Sequence, residues 1–143
     1  MQSVKIQHIH VRKGAIDLDI SISVKMLHVK QEQADWLLGK LPNLARHVCV
    51  SSNQDGIFGA ELVGTEQAHL LEHLLIELQG RAMPDKSYTF TGHTSWLEEI
   101  AETGPHGYAF MRVTVTYVDD LVALRAINDA INLIDESLGT AID

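Results

Sequence analysis

The chain opens with two stretches in which apolar and polar residues alternate. Residues 4–11 (VKIQHIHV) and 16–24 (IDLDISISV) follow this two-residue period, and the pair Lys13-Gly14 lies between them. Alternation is typical of a strand that buries one face, and a glycine between two such stretches favours a turn. The pattern therefore predicts a β-hairpin whose two apolar faces point to one core.

Two helices are predicted in the first half of the chain. Residues 31–41 (QEQADWLLGKL) have helical spacing, and Pro42 either ends this helix or starts the next turn. A longer helix is predicted over residues 65–80, with Thr65 as its N-cap and Gly80 as its stop. Between the two helices, the composition of residues 51–56 predicts a loop, and residues 57–63 are expected to form a short strand.

The second half of the chain is predicted to be mixed. Residues 88–100 predict a strand with an irregular middle, residues 104–107 a turn, and residues 108–118 (YAFMRVTVTYV) a regular strand. A final amphipathic helix is expected from a cap at Asp119 or Asp120 through Leu138, ended by Gly139. Strands joined by hairpins and mixed with helices predict an α+β fold, in which a largely antiparallel sheet packs against about three helices as a two-layer sandwich.

Length and composition narrow the class of protein. The 143 residues, 45% of them hydrophobic, predict one folded domain spanning residues 1–143. A net charge of −8 without a basic stripe argues against nucleic acid and anionic membranes as partners, and would attract a cationic ligand. We also expect a cytoplasmic protein, because Cys49 is the only cysteine and no apolar stretch approaches the ~20 residues that span a bilayer. The alternating edge strands would allow a homodimer.

One short motif, His69-Leu-Leu-Glu72-His73, combines metal-ligand chemistry with a base. Residues four apart on a helix lie one above the other, so the two imidazoles could bind one metal ion, with Glu72 on the adjoining flank. At about 100° per residue, the neighbouring leucines occupy the opposite half of the helix. The motif is therefore predicted to face a cleft. The alternative is a solvated polar face that happens to contain two histidines.

If a metal binds here, zinc is the expected ion, because neutral imidazole suits it. A catalytic zinc usually takes three protein ligands, and the third would come from Glu77 or from another segment, where His47 and Cys49 are the best candidates. Glu72 would be the general base for the attacking water, a combination suited to amide hydrolysis. The chain contains no glycine-rich phosphate loop and no Gly-x-Ser-x-Gly motif that would point to other chemistry. His93, in the irregular strand, could border the same cleft.

Several segments, taken in chain order, resemble the N-terminal domain of cyanophycin synthetase, the enzyme that builds an aspartate–arginine polymer. Residues 41–51 (LPNLARHVCVS) resemble the family's LPxLxxHxCS segment, and residues 55–58 (DGIF) its Gly-Gly-Phe. Residues 69–79 (HLLEHLLIELQ) resemble its HxxEHxxxELQ helix, and residues 107–117 its GxYxVxxEYxxE strand. The resemblance covers most of the chain after residue 41.

The resemblance implies a metallopeptidase-like domain, which in some members is thought to cut the polymer into primers. It also implies substrate-binding roles for Cys49 and for His93, Thr94 and Ser95, which stand near the family's Gly-Lys-Thr-Arg segment. Ser95 occupies the place where the family's arginine is expected, which suggests that this protein acts on another peptide or amide. The ATP-binding and ligase domains are not in these 143 residues, so we do not expect synthesis from them.

The same His-x-x-Glu-His pattern also resembles pitrilysin-type peptidases and S-ribosylhomocysteinase. The chain is too short for a pitrilysin repeat pair, and the residues around the motif agree less well with S-ribosylhomocysteinase. The leading hypothesis is therefore a zinc-dependent hydrolase of amide or isopeptide bonds, acting on Asp/Arg-type polymers or peptides. The alternative is a non-catalytic binding or assembly module that retains the fold of a synthetase N-terminal domain.

Overall fold

Four antiparallel strands form one sheet in the computed structural model, which describes residues 3–48, 56–98 and 107–142. The strands are β1 (Val4–Arg12), β2 (Ala15–Ser23), β3 (Gly92–Glu98) and β4 (Tyr108–Thr116). Their order in the sheet is β1-β2-β4-β3, so β1 and β3 are the edge strands. Gly14 has a φ of 80° between β1 and β2, a conformation that costs glycine little. The predicted hairpin is confirmed.

Helices form the second layer. They are α1 (Gln31–Lys40), α2 (Phe58–Glu61), α3 (Gln67–Ala82) and α4 (Asp120–Ile142), with 3₁₀ turns at Val24–Met26 and Pro42–Arg46. The α3 helix contacts β3 and β4, while α4 contacts β1 and packs against α1 and α3. The predicted α+β sandwich with a largely antiparallel sheet is therefore confirmed. No helix in the described ranges is long and apolar enough to cross a bilayer.

The core lies between the inner face of the sheet and the leucine-rich face of α3. Alternate residues of β2 and β4 meet four leucines of α3, and burial of each such side chain is worth about 1.5–3 kcal/mol. These buried residues are Ile16, Leu18, Ile20, Ile22, Met111, Val113, Val115, Leu70, Leu71, Leu74 and Leu75. On β1, by contrast, Ile9 and Val11 are 45% and 58% exposed, so the outer end of the hairpin extends past the core.

Residues 57–63 do not form the expected strand. Among the described residues, an isolated bridge joins Val48 to Ile57, and the chain then turns into the short helix α2. Phe58 is fully buried, and a Cβ on Gly59 would lie 2.7 Å from the carbonyl oxygen of Ala45. Close packing against the preceding 3₁₀ turn, and not strand propensity, therefore sets the local structure.

The predicted helix ends also need correction. The α3 helix continues past Gly80 to Ala82, and α4 continues past Gly139 to Ile142. A glycine inside a helix costs only about 1 kcal/mol, which the flanking turns can offset. At the N-terminus of α3 the capping position is Glu66, not Thr65. Asp119 does cap α4, because its Oδ1 accepts hydrogen bonds from the amides of Leu121 and Val122. Residues 51–55 of the loop predicted over 51–56, and most of the turn predicted at 104–107, lie outside the described residues.

Candidate metal centre

Like its leucine face, the polar face of α3 is buried, although less completely. His69, Glu72 and His73 are 9%, 6% and 2% exposed. Strand β3 and the 3₁₀ turn at Pro42–Arg46 contact the helix, and the ring of Phe58 stacks on His73 with 3.9 Å between centroids. A solvated polar face is therefore ruled out. These residues instead line a cleft, as the spacing of the motif predicts.

His69, Glu72 and His73 form a compact group of candidate metal ligands. One ligand atom from each residue can be chosen so that all three lie within 4.8 Å of one another. Nδ1 of His69 lies 2.8 Å from Oγ1 of Thr65, and Phe58 contacts the His69 ring edge-on. Burial lowers the pKa of His69, against the opposing effect of nearby Glu61 and Glu66. Lowered basicity keeps this imidazole neutral, the form that binds metals.

A chain of three side chains fixes the orientation of His73. Oε1 of Glu77 lies 2.9 Å from Nε2 of His47, and Nδ1 of His47 lies 3.0 Å from Nδ1 of His73. A neutral imidazole has one N–H and one lone pair, so a neutral His73 whose Nδ1 donates to Nδ1 of His47 carries its lone pair on Nε2. Arg81 supports the chain from outside, with its Nε 3.1 Å from Oε2 of Glu77.

Nε2 of His73 is a buried atom without a hydrogen-bond partner among the described residues. Oε2 of Glu72 lies 3.7 Å from it, beyond hydrogen-bond distance. Burial lowers the pKa of His73 to about 3, and the neighbouring His69 and His47 add to this effect. A buried polar atom that lacks a partner is costly, and a metal ion at this point would satisfy it.

Glu72 is held beneath strand β3. Oγ1 of Thr94 donates a 2.8 Å hydrogen bond to Oε1 of Glu72. Burial raises the pKa of Glu72 to about 7, although this hydrogen bond acts in the opposite direction. A Cβ on Gly92 would lie 2.6 Å from the carbonyl oxygen of Thr114 and 3.1 Å from Cγ of Glu72. Glycine at position 92 therefore allows β3 to approach both Glu72 and β4 closely.

The cleft beside these residues has a volume of about 580 Å³ and lies between α3 and β3. Its walls are mainly apolar, with Ile76, Phe90, Trp96 and Met111 among the lining residues. The described lining includes the ionisable residues His47, His69, His73, His93, Glu66 and Glu72, and no lysine or arginine. A neutral or cationic ligand therefore suits the described part of the cleft better than an anionic one.

Of the other residues predicted for the site, some contact the centre and others do not. His47 and Glu77 lie behind His73, whereas Thr94 contacts Glu72 directly. His93 borders the cleft. Side chains alternate along a strand, so His93 and Ser95 point to the sheet face opposite Thr94, beside their cross-strand partners Thr114 and Arg112. Cys49 lies outside the described residues.

Sequence analysis missed three contributors to the site. Thr65 was assigned a capping role, yet it contacts His69. Phe58 stacks on His73, and Gly92 makes room for Glu72. Phe58 and Gly92 stand in short segments that resemble family motifs, and this resemblance was the one sequence feature that pointed to a role for them in the site. Their contacts join segments distant in sequence, so spacing could not reveal them.

The fold and this centre define a class: a two-layer α+β domain with a buried histidine–glutamate cluster in a cleft between a helix and an edge strand. The chain belongs to the family of cyanophycin synthase-like N-terminal domains, which it matches over residues 15–138. That match takes in the elements from β2 to β4, most of α4 and all the residues of the centre. No curated protein sequence matches the chain.

Proposed function

We propose that the protein is a metal-dependent hydrolase of amide or isopeptide bonds. The observation that carries the proposal is Nε2 of His73, which is buried, has no partner among the described residues, and lies 3.7 Å from Glu72. His69 and His73 would hold the ion, and two neutral imidazoles beside a carboxylate suit zinc. When bound, zinc would polarise a substrate carbonyl and acidify water.

His47 and Glu77 are better suited to orienting His73 than to binding the metal themselves. Their close contacts are with Nδ1 of His73 and with each other, on the side of the ring away from Nε2. Metal-binding histidines commonly donate their second N–H to such a partner, which fixes the ring and strengthens the ligand. The third protein ligand that a catalytic zinc usually takes stays a prediction, with Cys49 as the candidate from another segment.

Glu72 would serve as the general base. Burial raises the pKa of Glu72 to about 7 in the metal-free protein, so its carboxylate binds a proton more readily than a free glutamate does, as suits a general base. It would take a proton from the attacking water and pass it to the leaving amine. Thr94 holds one oxygen of the carboxylate by its hydrogen bond and leaves the other, Oε2, on the side of His73.

The substrate class follows from the lining of the cleft. An apolar cleft whose described lining has two carboxylates and no lysine or arginine would accept a peptide or amide that is neutral or cationic. Asp/Arg-type peptides remain candidates through their arginine side chains. We place this activity in the cytoplasm, where a lone cysteine such as Cys49 stays reduced.

The Glu72→Gln variant tests the catalytic role. Glutamine can accept the same hydrogen bond from Thr94 but cannot take a proton, so the zinc-loaded variant should hydrolyse peptides about 10²–10⁴-fold more slowly than the wild type. Its zinc content should not change. Product formation from a mixed set of Asp/Arg-type peptides and isopeptides, followed by mass spectrometry, measures this. Glu32→Gln, which removes an exposed carboxylate on α1, is the matched control and should retain full activity.

Two results would argue against this proposal. Hydrolysis that persists in the Glu72→Gln variant would remove Glu72 as the base. A zinc-loaded wild type that cleaves nothing would favour the alternative of a non-catalytic binding or assembly module. The candidate ligand atoms of His69, Glu72 and His73 lie within 4.8 Å of one another, a grouping that supports the hydrolase over this alternative.

A further inference from the structure

Strand β3 has an edge that no other described strand covers, and this edge borders the cleft. The sheet order places β3 outermost, beside β4 alone. Gly92, His93, Thr94 and Trp96 of β3 all line the cleft, together with His69 and His73 of α3. The edge of the sheet and the candidate metal centre are therefore parts of one surface.

The register of β3 shows which backbone groups face the cleft. The amide of Thr116 donates to the carbonyl oxygen of Thr91 at 2.9 Å, so these two residues form a hydrogen-bonded pair. Such pairs alternate along an antiparallel ladder, so His93 and Ser95 also bond to β4. The N–H and C=O groups of Gly92 and Thr94 and the N–H of Trp96, which precedes a register shift, therefore point away from β4 towards the edge that no described strand covers.

The same residues that point their backbone groups outward also contact the candidate base. The hydroxyl of Thr94 donates to Glu72, and Gly92 lies against the stem of Glu72. A chain bonded to this edge would therefore lie directly beside Glu72. Exposed backbone groups on an edge strand are a ready template for a further strand.

We propose that the substrate binds as an added strand on β3, held by its own main-chain amides. Alternate residues of an extended peptide would bond to Gly92, Thr94 and Trp96, and alternate side chains would point down to α3 or away from it. The ligand is thus an extended peptide recognised mainly through its backbone. Trp96, 48% exposed, would cover one end of it. This inference rests on the proposed hydrolase function, whose substrate it specifies.

The dimensions of the cleft agree with such a ligand. Five residues of β3, from Gly92 to Trp96, present outward groups from three positions. At about 3.4 Å per residue, an added strand of the same length spans roughly 14–17 Å. A volume of about 580 Å³ falls within the range of binding clefts that accept a short segment of this kind.

A backbone N-methyl scan tests the inference on the substrate side. A library of blocked hexapeptides is first screened for cleavage by the zinc-loaded protein, and each amide of one cleaved peptide is then methylated in turn. Methylation removes a donor and blocks a strand edge, so kcat/KM should fall roughly tenfold or more at every second position and little between. A cleaved peptide that shows no two-residue alternation overturns the inference and leaves the hydrolase proposal standing.

Hydrogen exchange tests it on the protein side without requiring turnover. In zinc-loaded Glu72→Gln protein saturated in turn with each library hexapeptide, the amides of Thr94 and Trp96 should exchange about tenfold or more slowly with at least one of them. The amides of His93 and Ser95 already face β4 and are the internal controls. Slower exchange without any cleavage by the wild type would overturn the hydrolase proposal alone. Absence of slower exchange with every library peptide would overturn the added strand.

A pair of variants at Trp96 separates the backbone from the side chain. Trp96→Ala removes the indole but keeps the outward N–H, whereas Trp96→Pro removes both, and proline is tolerated at such edge positions. Peptide cleavage by Trp96→Pro should be about fivefold or more slower than by Trp96→Ala. Equal rates in two folded variants would contradict a bond at position 96.

Discussion

At the scale of single residues, the centre holds two ionisable groups where burial opposes their charged forms. The pKa of Glu72 is about 7 in the folded protein against 4.5 for the free group, and that of His73 is about 3 against 6.5. The contribution of Glu72 to the free energy of unfolding is therefore fully present below pH 4.5 and is lost as the pH rises from 4.5 to about 7. For His73 the sign is opposite: its contribution is present above pH 6.5 and is lost as the pH falls towards 3.

The Glu72→Gln variant should therefore be more stable than the wild type at alkaline pH. At pH 8, without metal, we expect a gain of about 1–3 kcal/mol in the free energy of unfolding, because the buried charge is gone while the acceptor for Thr94 remains. At pH 4.5 the two proteins should differ little, since Glu72 is then protonated. Urea denaturation with a chelator at both pH values measures this. An equal difference at both pH values would show that packing, not charge, is responsible.

Sequence alone gave the identity of these residues but not their burial. The spacing of His69, Glu72 and His73 on one helical face follows from the helix period, and their contact in space confirms it. A helical wheel shows one helix, however, and not what covers its second face. Phe58 and Thr94 reach the motif from other segments, so their contacts depend on the tertiary fold.

At the scale of elements, α3 is packed against other parts of the chain on both of its faces. Its leucines pack into the core, and its polar face lies beneath β3 and the 3₁₀ turn that carries the chain to His47. Long alternating or periodic segments were predicted well, since β1, β2, α1 and β4 lie close to where the patterns place them. The four-residue helix α2 was not predicted, because a single turn is too short to show a helical period. The position of this helix depends instead on the burial of Phe58.

The 3₁₀ turn at Pro42–Arg46 leads directly to His47, which gives a test of its role. If His47 only orients His73, His47→Gln should weaken zinc binding by about 10–100-fold and still retain one site. His73→Gln should abolish that site. Zinc titration against a competing chelator measures both affinities. If the two variants lose zinc equally, His47 is a ligand. If His47→Gln binds as tightly as the wild type, the contact between the two rings has no effect on the metal.

At the scale of the whole molecule, the sandwich creates the cleft by leaving β3 as an edge strand directly above the polar face of α3. The fold class could be predicted because hairpin and helix patterns are local and their sum allows few architectures. The cleft could not, because it depends on which strand lies at the edge. Strand β4 pairs with β3, which is near it in sequence, and also with β2, which lies more than 80 residues earlier. This second pairing leaves β3 at the edge of the sheet, and no local sequence pattern indicates it.

The metal content of the protein, purified without chelators, tests the central claim most directly. Elemental analysis should find about one zinc ion per chain in the wild type, and in Glu72→Gln as well, because two histidines and not the base hold the ion. A variant that lacks both imidazoles, His69→Ala/His73→Ala, should carry almost none while remaining folded by circular dichroism. A wild-type protein that carries no stoichiometric metal, and gains none after dialysis against zinc, would contradict the account.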